Sequence, residues 1–132
     1  MHPTIRRMQA IITNRDSAAI GSILAENIEF LPPTYWKTWT GRETVSLILG
    51  HVFTVLTDFR YRRVLGDDLD WSLEFLCKIN DLDAVGVDLI TLDSQGLIVR
   101  FEVVMRPQKS VAALRKAMNA HVLADPNILH HQ

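Results

Sequence analysis

Two alternating apolar runs joined by a short polar turn, AVGVDLITLDSQGLIVRFEVVMRP from Ala84 to Pro107, constrain this fold more than any other stretch. In the first run Val85, Val87, Leu89 and Thr91 alternate with Gly86, Asp88, Ile90 and Leu92, and the second extends from Leu97 to Met105. Period-two alternation sends successive side chains to opposite faces of a strand. Asp93-Ser94-Gln95-Gly96 supplies turn chemistry between the runs, and Gly96 can take φ > 0 without a Cβ penalty. The stretch reads as an antiparallel hairpin. A single acid, Asp88, interrupts the aliphatic pattern of its first strand.

The rest of the chain supplies partners for that hairpin. Ile5, Met8, Ile11 and Ile12 share one face of a first helix, and Asp16 is placed to cap a second through Ala19, Ile20, Ile23 and Leu24. A short strand from Asn27 to Leu31 ends at Pro32-Pro33, which cannot donate to a ladder. An aromatic loop with Tyr35, Trp36 and Trp39 follows. Thr40 and Glu43 form a capping-box pattern ahead of a long helix, Gly41 to Leu56, whose apolar face is Val45, Ile48, Leu49, Val52, Phe53 and Leu56. Strand patterns then run over Phe59–Leu65 and Trp71–Ile79, the first sending Arg62 and Arg63 to opposite faces. After the hairpin, Ser110 can cap a short last helix with Val111, Leu114, Ala117, Met118 and Val122 inward. Strands clustered after helices mean α+β, with helices on one face of a curved antiparallel sheet. The expected organisation is one domain over 1–123 and a flexible tail over 124–132.

Composition excludes several function classes. With 132 residues the chain can bury a core without disulfides or metals. A net charge of −1 gives no electrostatic case for nucleic acid or an anionic membrane. No window approaches the roughly 18 apolar residues of a membrane span. The lone Cys77 lies in a strand pattern and reads as a buried, inert thiol. No signal peptide is readable, so a cytoplasmic protein is the expectation. No metal or cofactor motif is readable either; His121, His130 and His131 fall outside any ligand spacing.

The order of elements, with Asn14-Arg15-Asp16 between two helices and Gly41-Arg42 opening the long one, resembles the nuclear transport factor 2-like superfamily. Gly86-Val87-Asp88-Leu89-Ile90, Gly96-Leu97-Ile98 and Arg106-Pro107 add to the likeness, which covers Ile5 to Met118. The resemblance implies a cystatin-like cone: a sheet wrapped around the long helix, with an apolar pocket at its open end. The superfamily includes ketosteroid isomerase, limonene epoxide hydrolase, polyketide cyclases, scytalone dehydratase and non-enzymatic members. By that likeness Asp88 matches an oxyanion-hole acid. The partner tyrosine of the isomerase falls on Met8 and its general-base aspartate on Pro32. The epoxide hydrolase pattern meets Gly86-Val87-Asp88 and Val103 here, so one acid of each catalytic set remains.

If Asp88 faces the cone, alternation places Ile90 on its side and Phe101, Val103 and Met105 inward on the partner strand. Leu49 of the long helix, Phe75 of the preceding strand and Met8 complete the expected pocket, with Tyr35, Trp36 and Trp39 at its mouth. A carboxyl among such groups has a raised pKa, because desolvation disfavours the anion. Tyr61 and His51 are further candidates to present polar atoms to a ligand. The implied partner is a small apolar molecule, bound by an isomerase-, cyclase- or dehydratase-like enzyme; the alternative is a non-catalytic dimeric binding or protein-interaction module whose cavity is filled by its own side chains. Val87, Leu89 and Val104, with Arg100 and Glu102, make the outer face apolar enough to expect a homodimer there.

Overall fold

The computed structural model describes residues 1–129 and, among them, six strands in one sheet packed against helices. In chain order these are α1 (Pro3–Thr13), a 3-10 turn (Ile20–Ile23), β1 (Leu24–Leu31), β2 (Trp39–Thr40), α2 (Arg42–Val55), β3 (Leu56–Asp67), β4 (Asp70–Ile79), β5 (Leu82–Leu92), β6 (Ile98–Arg106), α3 (Gln108–Ala124) and α4 (Pro126–Leu129). The sheet order is β2-β1-β6-β5-β4-β3. This is the α+β arrangement expected from the strand-after-helix pattern, in the cone form that the resemblance implied. It is not antiparallel throughout, because β1 lies parallel to β6, pairing Phe30 with Phe101. The chain leaves β1, crosses through α2 to the far edge and meanders back, and parallel neighbours require such a crossover.

The hairpin forms as its alternation demands. Gly86 opposes Met105, Asp88 opposes Val103 and Ile90 opposes Phe101. Asp93 Oδ1 accepts the N–H groups of Gln95 and Leu97, and Gly96 sits at φ 80°. The Thr4 hydroxyl donates to the Gly96 carbonyl, so α1 is tied to the turn at its first residues. α2 packs its Val45, Ile48, Leu49 and Phe53 face against β1, β2 and β3. The stripe Ile5, Met8, Ile11 and Ile12 of α1 joins the same core.

Several boundaries differ from the sequence reading for identifiable reasons. The helix expected after Asp16 shortens to the 3-10 turn, because Gly21 and Ser22 are poor helix formers and Leu24 already belongs to the sheet. Thr40 does not cap α2: its backbone pairs with Glu29 in β2, and Gly41, at φ 92°, becomes the cap residue. The Ser110 hydroxyl is likewise no cap; it donates to the Asp83 carbonyl at 2.6 Å, inside a 17-residue α3 that is not short. Within the expected tail, Pro126–Leu129 forms the single-turn α4, and Ile128 is fully buried in the core. Burying one isoleucine stabilises by about 1.5–3 kcal/mol, enough to hold a single turn. The remainder of the expected tail, with His130 and His131, lies outside the described residues.

β3 shows the most consequential departure. Its register against β4 shifts between Thr57 and Arg60 and again between Tyr61 and Arg63, and Asp58 takes φ 49°. Bulges of this kind re-aim side chains. Simple alternation separates Arg62 from Arg63, yet both guanidinium groups hold Glu74, Arg62 Nε at 3.0 Å and Arg63 Nε at 2.9 Å.

Gly86 shapes the inner face. A Cβ there would lie 2.4 Å from Cζ of Phe75 and 2.8 Å from Cγ of Met105, so the Phe75 ring occupies the space a side chain would take. Phe75 is fully packed and stacks on Phe59 at 4.9 Å between centroids. Gly86→Ala is therefore expected to destabilise the fold by about 1–3 kcal/mol. Denaturant titration of the variant checks this; an unchanged midpoint would mean the ring moves aside freely.

Candidate functional site

β5 presents Asp88 towards the helices because Gly86, Asp88 and Ile90 share the inward row of the alternation. Asp88 is 4% exposed. β4 separates it from β3, so a β3 side chain must reach across to touch it. Tyr61 is long enough, and its hydroxyl donates to Asp88 Oδ2 at 2.9 Å. The tyrosine opposes Phe75 and stands edge-on to Phe59 at 5.0 Å, so aromatic packing fixes its direction.

The carboxyl lines a cavity of about 60 Å³. Phe75, Phe101, Val103, Met105 and Leu49 make up much of the wall, with Phe30, Phe53 and Phe59 contributing further aromatic surface. In this setting burial raises the Asp88 pKa to about 7, against a smaller opposing effect from the Tyr61 hydrogen bond. Tyr61 is pushed well above the ordinary phenol range, first by burial and then by the Asp88 charge. The pair thus holds a proton donor, Tyr61, that does not ionise near neutrality beside a carboxyl that exchanges its proton there. Cys77 is pushed up to about 11 by burial and offers no thiolate.

A second apolar cavity of about 70 Å³ adjoins the first, sharing Phe30, Pro33, Val52 and Leu114 as a common wall. Tyr35 and Trp39 line this second space. The Tyr35 hydroxyl donates to Asn119 Oδ1 at 2.8 Å, and Arg115 lies 4.4 Å from its ring centroid, so the loop after β1 is clasped to α3.

Other expected pocket residues lie elsewhere. Met8 is fully buried within the core on the inward stripe of α1 and lines neither cavity. Ile90 is buried in the same core, further along β5 than the cavity reaches. Trp36 is 99% exposed at the loop tip and walls nothing. His51 belongs to the α2–α3 contact: its Nε2 lies 2.7 Å from Asp125 Oδ2 and its Nδ1 lies 3.3 Å from His121 Nδ1. The hydrogen bond with His51 holds the Asp125 carboxyl below its ordinary range. Among the described residues no cluster of three His, Cys, Asp or Glu side chains is arranged to hold a metal ion.

The expected pocket also lacked several apolar lining residues, Phe30, Phe53 and Phe59 among them, and one charged residue, Arg15, which lines the Asp88 cavity. Its only sequence signal is the polar interruption Asn14-Arg15-Asp16 between apolar helical stripes.

No family model and no curated protein matches the sequence. Solved structures do. The chain is similar to an uncharacterised protein conserved in bacteria with a cystatin-like fold from Silicibacter pomeroyi DSS-3, at 58% identity over 98% of this chain and 92% of that one, with a TM-score of 0.97. It is similar to a steroid delta-isomerase from Pseudomonas aeruginosa at 32% identity, covering 92% and 90% of the two chains, with a TM-score of 0.88. A nuclear transport factor 2-like protein from Mesorhizobium loti shares the fold at 16% identity, covering 79% and 88%, with a TM-score of 0.72.

The raised Asp88 pKa makes stability depend on pH. The folded carboxyl holds its proton to about 7, whereas the unfolded one releases it near 3.8. The folded state therefore binds more protons between those values, so stability is greatest below about pH 4 for this group and is lost as pH rises towards 7. At about 1.4 kcal/mol per pH unit the interval corresponds to roughly 4 kcal/mol. Asp88→Asn removes the ionisation. Denaturant melts at pH 8 should find the variant more stable than wild type, with the difference closing by pH 4. A constant difference across that range would contradict a buried, titrating Asp88.

Proposed function

This chain belongs to the nuclear transport factor 2-like superfamily of cone folds, and we propose that it binds a small apolar molecule through an oxygen held at Asp88. The observation that carries this reading is the buried Asp88, which lines an aromatic and aliphatic cavity while Tyr61, behind that lining, donates a hydrogen bond to it. An apolar cavity with a few placed polar groups fixes both the affinity and the orientation of a small ligand. Protonated, Asp88 donates a hydrogen bond to a carbonyl or enolate oxygen; ionised, it accepts one from an enol. Because it exchanges its proton near pH 7, it is suited to both tasks. The chemistry this supports is a proton transfer of the isomerase, cyclase or dehydratase kind. The similarity to a steroid delta-isomerase agrees with that class. Asp88 is the only acid lining the cavity among the described residues, so it acts without a second carboxylate.

A phenol carries its hydroxyl on an sp2 carbon as an enol does, so p-cresol is a direct probe of the Asp88 chamber. Calorimetry or ligand-detected NMR should show it binding wild type with an affinity that changes across pH 7. Asp88→Asn should bind roughly 10-fold more weakly, the cost of a hydrogen bond to an ionisable partner, and without that pH dependence. Equal affinity in both proteins at every pH would remove Asp88 from the site.

We further propose a homodimer through the outer sheet face, in a cytoplasm whose reducing conditions suit the free Cys77 thiol. Leu89 is 36% and Val104 51% exposed there, beside the Arg100–Glu102 ion pair at 3.0 Å. Sedimentation should give a dimer at micromolar concentration, and Val104→Asp should shift it towards monomer. A monomeric wild type contradicts the dimer without touching the cavity reading.

A further inference from the structure

Arg15 occupies a backbone position that ordinarily goes to glycine. The Asp16 N–H donates to the Ile11 carbonyl at 2.9 Å and the Arg15 N–H to the Ile12 carbonyl at 3.1 Å. These two bonds form a Schellman motif, which requires a left-handed residue after the C-cap. That residue is Arg15, at φ 55°. A side chain with a Cβ costs about 1 kcal/mol there relative to glycine, so helix termination alone does not explain the arginine.

Its side chain shows what is gained. One Nη2 hydrogen bond goes to the Phe53 carbonyl in the last turn of α2, which fixes the guanidinium. Its other N–H groups have no partner among the described residues. The residue is exposed, yet it lines the cavity whose wall holds the buried Asp88. Among the described residues it is the only cation lining that cavity, so the apolar wall carries one charged group in its depth and one at its rim.

We propose that Arg15 recognises an anionic group at the mouth of the cavity, so that the ligand is an apolar carboxylic acid with an oxygen-bearing head at Asp88. This deepens the function proposed above and rests on it. A guanidinium held by one bond keeps N–H groups in the planar fork that suits a carboxylate. A single fixed cation beside an apolar chamber matches one negative charge on an otherwise hydrophobic body.

The test compares 4-hydroxyphenylacetate, 3-(4-hydroxyphenyl)propionate and 4-(4-hydroxyphenyl)butanoate with their primary amides, and uses p-cresol as the head group alone. Wild type should bind the best-fitting acid roughly 10-fold more tightly than its amide. Arg15→Gly, which suits the left-handed position and so keeps the fold, should abolish that preference, and Arg15→Lys should restore part of it. Binding of p-cresol to wild type with no preference for any acid over its amide overturns the role of Arg15 and leaves the Asp88 chamber intact. A preference that survives in Arg15→Gly overturns it equally. Failure of p-cresol to bind wild type removes the Asp88 reading and this inference with it.

Discussion

A carboxyl in an apolar wall cannot keep its charge cheaply, and in this fold the Tyr61 hydroxyl is the donor that reaches it. Moving an unpartnered polar group out of water costs several kcal/mol. The 2.9 Å bond from Tyr61 to Asp88 satisfies one oxygen and, among the described residues, leaves the other without a protein partner. Much of the surrounding architecture serves that arrangement. The bulges in β3 set the direction of Tyr61, the missing side chain at Gly86 admits the Phe75 ring, and the stacked Phe59 keeps the tyrosine upright. α2 closes the other side of the cavity with Leu49, Val52 and Phe53.

What could be read from the sequence follows from the physics of each element. The hairpin was legible because alternation and turn chemistry agree, and its register then placed Asp88, Phe101, Val103 and Met105 inward together. The helix from Arg42 was legible from its apolar face, although its first residue was not, since Thr40 is used in a ladder that local patterns do not show. The parallel pairing of β1 with β6 is a long-range fact that no local periodicity encodes. Bulges are equally silent, so the joint hold of Arg62 and Arg63 on Glu74 could not be read from strict period two. Tyr61 was identified only as a candidate, because its contact with Asp88 spans an intervening strand.

Residues that looked alike in sequence separate by the element that carries them. Tyr35, Trp36 and Trp39 share one aromatic loop, yet Trp36 stands in solvent while the others line the second cavity. Met8, the position matched to a tyrosine in the isomerase comparison, is buried in the core, and Tyr61 approaches the acid from β3 instead. Similar solved structures agree with this chain on the cone itself.

The claim on which this account stands is that Asp88 is a buried carboxyl exchanging its proton near neutrality. Carbon-detected NMR of the side-chain carboxyl across a pH titration measures this directly, with Asp88→Asn assigning the resonance. The account expects an apparent pKa of about 7. A value at or below the ordinary aspartate pKa of about 3.9 would mean a solvated or ion-paired carboxylate and would contradict it.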